Sequence, residues 1–185
     1  LLSAWPKDGP KLVWKVPGRE GYSTLVVATG RAITKVQRKG AEYVLTLNAA
    51  TGKKDWDTRI APAYKNSFGH GPRSTPAVDG DHVYIYSPSG NLACLDAVKG
   101  NIVWKIDLLK TLGGKAVTYG LSASPLVEGN LVYAIPGGKG AGVAAFDKRN
   151  GKLVWKTGDD KAAYASPTSV TAGGQKQIIF FTAAG

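Results

Sequence analysis

The chain has 185 residues, 43% of them apolar and 20% charged, with a formal net charge of +11. That balance excludes an intrinsically disordered chain, and no apolar run approaches the ~20 residues that a membrane helix needs. The basic surplus allows an anionic partner. However, the Lys and Arg residues are dispersed among strand-like runs instead of forming a stripe, which argues against nucleic acid as that partner.

Taken in chain order, residues 1–21 read as a leader containing Trp5, followed by an orphan outer strand at 11–16 in Lys11-Leu-Val-Trp14-Lys15. Residues 22–60 read as a four-stranded unit with strands at 22–27, 32–36, 43–47 and 53–59. A second unit spans 73–108. It is entered through Ser74-Thr75-Pro76, turns at Asp79-Gly80-Asp81, and continues in strands at 83–86, 91–95 and 101–104. A third spans 122–158, with Ser124-Pro125, the turn Glu128-Gly129-Asn130, and strands at 131–135, 142–146 and 152–156. Residues 164–185 repeat the opening of a unit, with Ser166-Pro167 and a strand at 177–181. β-Branched and aromatic runs separated by Gly-rich turns are the sequence form of up-and-down antiparallel sheets.

One pattern ties the units together. Asn48-Ala-Ala-Thr-Gly52-Lys-Lys-Asp-Trp56, Asp96-Ala-Val-Lys-Gly100-Asn-Ile-Val-Trp104 and Asp147-Lys-Arg-Asn-Gly151-Lys-Leu-Val-Trp155 share Asx, Gly and Trp at four-residue steps. Trp14 echoes the last copy, and successive Trp residues lie 42, 48 and 51 positions apart. Self-similarity at this period indicates a repeat architecture, and four short strands per repeat indicate a β-propeller. The Asx side chain can accept backbone N–H groups to form the turn, and Gly supplies a left-handed backbone. The Trp is expected to pack against the neighbouring sheet, burying roughly 150–250 Å².

The spacing resembles the tryptophan-docking motif of quinoprotein alcohol dehydrogenase-like propellers, the PQQ-like repeat family, Ala-x-Asp-x-x-Thr-Gly-x-x-x-Trp. The first copy matches at Asn48, Thr51, Gly52 and Trp56. The second matches at Asp96, Gly100 and Trp104, with Lys99 in place of Thr. The third matches at Ala145, Asp147, Gly151 and Trp155. The opening Trp5-Pro6 with Gly9-Pro10, and the loop Gly69-His70-Gly71-Pro72-Arg73, also resemble bacterial secreted polyvinyl-alcohol dehydrogenase-like propellers. The resemblance implies an all-β fold and about half of a seven- or eight-bladed ring, with the rest of the propeller or another protein chain as partner. It also implies a periplasmic or secreted location. The chain begins at Leu1 without Met or a charged-then-apolar leader, so a mature product or a fragment is expected.

Two functions follow from the resemblance. One is a binding or scaffold module, non-catalytic or without proven catalysis. The other is part of a dehydrogenase that oxidises an alcohol or sugar with pyrroloquinoline quinone (PQQ) and calcium. The resemblance implies for the second a Glu, Asn and Asp calcium site, a catalytic Asp, a Trp platform and often a disulfide between adjacent Cys residues. Calcium asks for six to eight oxygen ligands, whereas the acids here are scattered and Asp159-Asp160 is the one adjacent pair. Cys94, the single Cys, can form no internal disulfide and reads as a small buried hydrophobe. No metal site and no cofactor is evident in the chain itself.

Candidate ligand groups lie in the loops that link one unit's last strand to the next unit's first: residues 61–73, 108–121 and 158–164. They offer Lys65, Asn66, His70, Arg73, Tyr119 and Tyr164, expected to converge on one face and to suit a small anionic or hydroxylated ligand. Lys65 and Arg73 are expected to supply the charge-assisted bonds.

Overall fold

The computed structural model describes residues 6–185, so Trp5 lies outside the described residues. Three four-stranded antiparallel sheets and one two-stranded sheet follow in chain order. The first is β1 (Val26–Ala28), β2 (Arg31–Arg38), β3 (Ala41–Asn48) and β4 (Lys54–Pro62). The second is β5 (Ala77–Asp79), β6 (His82–Tyr86), β7 (Asn91–Asp96) and β8 (Ile102–Asp107), followed by a one-turn helix α1 (Leu108–Leu112). The third is β9 (Leu126–Glu128), β10 (Leu131–Ala134), β11 (Val143–Asp147) and β12 (Leu153–Thr157). Strands β13 (Thr168–Ala172) and β14 (Gln175–Ile179) pair as the two-stranded sheet. Within every sheet spatial order equals chain order, the up-and-down topology of a propeller blade.

Alternation explains how the blades stack. Along β2, Ile33, Lys35 and Gln37 are buried while Thr34, Val36 and Arg38 are half-buried. The facing side of the second blade offers Val83, Ile85, Ala93 and Leu95, and these join Ile33, Val44 and Ile60 in one cluster. A larger cluster between the second and third blades gathers Tyr84, Tyr86, Leu92, Cys94, Trp104, Val132 and Phe146. Side chains of period two thus supply both faces of each inner blade.

Turn chemistry sets the register. The β2–β3 hairpin turns on Lys39 and Gly40, with φ of 47° and 73°. A two-residue hairpin of this kind requires positive φ at both positions, which matches the right-handed twist of its strands.

Three sequence expectations change. Residues 11–16 form no strand, because among the described residues no neighbouring strand lies beside them to pair with. The first strand of the first blade begins at Val26, and residues 22–25 approach it outside the ladder, with the Tyr22 N–H donating to Pro72 O (2.7 Å) and Ser23 Oγ accepting from the Lys35 N–H (3.3 Å). Helix α1 was not expected. Asp107 caps it by accepting from the Lys110 N–H at 3.2 Å, and Gly113 ends it in a left-handed conformation at φ 68°.

Candidate functional site

The joints between blades explain the repeated motif. The Asn48 side chain accepts from the N–H groups of Ala50 (3.1 Å) and Thr51 (3.0 Å). Asp96 accepts from Val98 (2.8 Å) and Lys99 (2.6 Å), and Asp147 from Arg149 (2.8 Å). Trp14, Trp56 and Trp104 each then reach the turn of the following blade. The indole N–H of Trp14 donates to Ala49 O (2.8 Å), that of Trp56 to Ala97 O (3.1 Å) and that of Trp104 to Lys148 O (2.9 Å). In each case the acceptor is the residue after the Asx. The rings lie flat on Gly52, Gly100 and Gly151, where an added Cβ would stand 2.8, 2.6 and 2.8 Å from ring carbons. Glycine is therefore needed twice over, for its left-handed φ of 69°, 75° and 72° and for the space the ring occupies.

Trp155 departs from this pattern. It is 37% exposed, and it meets Tyr133 (6.0 Å between centroids) and Phe180 (6.5 Å) in place of a Gly turn. The reason is local. The sheet beyond it consists of β13 and β14, and the Asx turn that would follow a third strand is absent from the described residues. The expectation of a mostly buried Trp155 is corrected accordingly, while Trp104 is 8% exposed.

A second joint lies at the blade entrances. The Thr75 N–H donates to Ser124 Oγ (2.9 Å), and the Ser124 N–H donates to Ser166 Oγ (2.8 Å). Thr75-Pro76, Ser124-Pro125 and Ser166-Pro167 thus form a ladder in which the Ser124 and Ser166 hydroxyls each accept from the N–H at the entrance before them. The repeated hydroxyl–Pro pair was the sequence signal for it.

The candidate loops share a face with the turns that join second and third strands. The Ala63 N–H donates to Gly40 O, Leu121 N–H to Pro88 O, Lys115 N–H to Gly137 O and Gly138 N–H to Asp160 O. Asn66 bridges two of the loops. Its Nδ2 donates to Thr118 O (2.7 Å) and to Tyr64 Oη (3.2 Å), and its own N–H donates to His70 Nδ1 (3.2 Å). A backbone N–H can only donate, so Nδ1 is the acceptor and the proton of the neutral ring sits on Nε2. Phe68 meets Tyr119 edge-on at 5.2 Å, and Tyr119 meets Tyr164 at 5.4 Å. All three rings are exposed, at 68%, 42% and 44%. They form an aromatic ridge that crosses three successive loops.

The structure therefore draws Asn66, His70, Tyr119 and Tyr164 into one loop cluster. Lys65 is exposed at its edge. Arg73 is placed differently from the expectation. Its Nη1 donates to Gly71 O and its Nη2 to Gly69 O, both at 2.8 Å, and its guanidinium lies over Tyr22 (5.3 Å) and Tyr64 (4.9 Å). Those bonds tie Arg73 to its own loop, so it shapes the loop instead of presenting a free cation.

Two open hollows flank the ridge. One of about 690 Å³ is lined by Lys115, Val117, Lys161, Ala162, Tyr164 and Phe181. The other, of about 510 Å³, is lined by Arg19, Glu20, Arg38, Lys39, Lys65 and His70. Sequence reading passed over Phe68, Arg19 and Lys39, which lie in turns and loops without a period. The signal for Phe68 was its place between Lys65 and His70.

Sequence reading also missed a buried charged pair between the first two blades. The Lys35 ammonium donates to Ser74 Oγ and Tyr86 O, both at 2.6 Å, and is held down to about 8 by burial. Glu42 is fully buried, its carboxylate oxygens have no hydrogen-bond partner, and burial pushes it up to about 7 against the pull of Lys35 and Arg73. Among the described residues no three His, Cys, Asp or Glu side chains come together to hold a metal ion.

Up-and-down four-stranded blades, joined by Trp residues on Asx–Gly turns, define a β-propeller of the PQQ-like kind. The chain belongs to the family described as outer membrane protein assembly factor BamB, whose family model matches residues 40–185. It is 30% identical over 135 residues to the quinohemoprotein alcohol dehydrogenase ADH IIB of Pseudomonas putida, a match covering 67% of this chain and 19% of that protein. It is 27% identical over 138 residues to the outer membrane protein assembly factor BamB of Vibrio cholerae, covering 74% of this chain and 33% of that protein. The chain thus spans about a fifth to a third of the length of these curated relatives. In structure it resembles the quinohemoprotein alcohol dehydrogenase ADHIIG of Pseudomonas putida HK5, with a TM-score of 0.57 at 21% identity, over 80% of this chain and 22% of that one. That likeness concerns the fold.

Proposed function

We propose that this chain is a propeller segment whose loop face binds another protein, serving as a scaffold outside the cytoplasm and not as a catalyst. The observation that carries this reading is the exposed ridge of Phe68, Tyr119 and Tyr164. Aromatic side chains on rigidly held loops are the groups that interfaces use as anchors. The loops are fixed by bonds between blades and not only within them, as in Asn66 to Thr118 O, so little ordering entropy is lost on binding. The family description, outer membrane protein assembly factor, supports a protein partner and an envelope location. A small anionic or hydroxylated ligand at Lys65 and His70 is compatible with the same face.

A second reading rests on the 30% identity to a quinohemoprotein alcohol dehydrogenase: part of an enzyme that oxidises an alcohol or sugar with PQQ and calcium. Reconstitution with PQQ and Ca²⁺ separates the two. The scaffold reading expects no quinone absorption band and no dye-linked alcohol oxidation. Saturable appearance of both, lost on chelation of calcium, would replace it with the dehydrogenase reading.

A further inference from the structure

We infer that the hollow lined by Arg19, Lys39, Lys65 and His70 receives acidic side chains of the protein that docks on the aromatic ridge, so that the partner segment carries carboxylates beside an apolar or aromatic anchor. The inference rests on the scaffold reading and names the partner's chemistry. One short loop carries both parts of the surface: Lys65 and His70 line the hollow, and Phe68 between them opens the ridge. A partner side chain that covers Phe68 therefore lies within a few residues of both polar groups.

The charge of the hollow is lopsided. Arg38 is ion-paired with Asp57, and the acid Glu20 is engaged by Gln37, whose Nε2 donates to it at 2.9 Å. Arg19 and Lys65 appear in no ion pair among the described residues, and both are exposed. His70 accepts through Nδ1 from Asn66, which leaves its Nε2–H as a donor. Glu20 keeps its charge, so three cations, Arg19, Lys39 and Lys65, with the His70 donor, stand against one carboxylate, and the surplus is the complement of an acidic side chain. The hollow holds about 510 Å³ and is open to solvent, enough for one or two acidic side chains entering from a bound segment. Buried Gln37, 5% exposed, fixes its floor, because its Oε1 also accepts from the Tyr64 N–H at 2.7 Å.

The test uses the whole chain and fluorescent peptides read by anisotropy at moderate salt. The acidic probe is acetyl-Asp-Asp-Phe-Asp-Asp-amide and the neutral one acetyl-Ser-Ser-Phe-Ser-Ser-amide. Inorganic phosphate and phosphatidylglycerol vesicles serve as competitors. The acidic peptide should bind about tenfold more tightly than the neutral one, the worth of one charge-assisted contact. Arg19→Ala with Lys65→Ala should remove that advantage and leave the neutral peptide unchanged, whereas Lys65→Arg should retain it. Phe68→Ala should weaken both peptides, which tests the ridge separately. Equal binding of the two peptides, or an advantage that survives the Arg19 and Lys65 substitutions, would overturn the inference while leaving the ridge standing. Displacement by phosphate at the peptide's own concentration would make this a free-anion site, and tighter binding to vesicles a lipid surface; either result overturns the inference. Failure of both peptides to bind would overturn the inference and the scaffold reading together.

Discussion

Trp104 and Trp155 occupy the same place in the repeat but should differ widely in what they contribute. A Trp buries roughly 150–250 Å², worth about 4–6 kcal/mol gross at ~25 cal/mol per Å². Trp104 is 8% exposed and bonded to Lys148 O, so truncation to Ala should cost about 3–5 kcal/mol, as for other large aromatic deletions in cores. Trp155 is 37% exposed, and no bond from its indole N–H is found among the described residues. Its truncation should cost about 1–2 kcal/mol. Gly151→Ala gives an independent view of the same joint. The new Cβ would lie 2.8 Å from the Trp104 ring on a backbone at φ 72°, which should cost about 1–3 kcal/mol. Combined with Trp104→Ala, the steric part of that cost disappears, so the double variant should be less destabilised than the sum of the singles. Urea unfolding followed by far-ultraviolet circular dichroism measures all four chains. A loss below about 1 kcal/mol for Trp104→Ala, or equal losses for Trp104→Ala and Trp155→Ala, would refute docking on the next blade's turn.

The buried pair between the first blades should shape stability against pH. Glu42 is raised from 4.5 to about 7, so its folded form holds a proton that the unfolded chain releases, and stability should fall as pH rises from about 4.5 to about 7. Lys35 is lowered from 10.5 to about 8, so stability should recover as pH rises from about 8 to 10.5. Each limb should be worth on the order of 3 kcal/mol at most, and Glu42→Gln should flatten the acid limb in a chemical-denaturation series. An unchanged acid limb in that variant would remove Glu42 as its source. Cys94 is fully buried and its thiol is pushed up to about 12 by that burial. It should therefore react with a thiol reagent at pH 8 at the rate of unfolding, and rapid labelling of the folded chain would contradict its placement.

The fold could be read from the sequence because its signal was repeated. Three copies of Asx, Gly and Trp at fixed spacing indicate a repeat, and the strand-rich runs between them indicate antiparallel blades. What the spacing could not give was direction. Trp56 belongs to the first blade's motif, yet its ring lies on Gly100 of the second, a relation visible only once two blades are placed side by side. The same limit applied to Trp155, whose motif is complete while its receiving turn is not among the described residues. Lys35 and Glu42 were missed because alternation assigns inward strand positions to apolar side chains, and here two charges share such positions. In the loops, residue type indicated candidates but not commitments. Arg73 reads as a free cation until its bonds to Gly69 O and Gly71 O are seen. Phe68 reads as an ordinary loop residue until its ring is found against Tyr119.

The most direct test of the loop face as a protein-binding surface is site-specific photo-crosslinking in cells that produce the protein. A benzophenone amino acid at Tyr119, on the ridge, is compared with one at Lys99, in an Asx turn at the opposite ends of the strands. The scaffold reading predicts one discrete, identifiable protein adduct from position 119 that is lost with Phe68→Ala, and none from position 99. Equal adducts from both positions, or an adduct at 119 indifferent to Phe68→Ala, would contradict it.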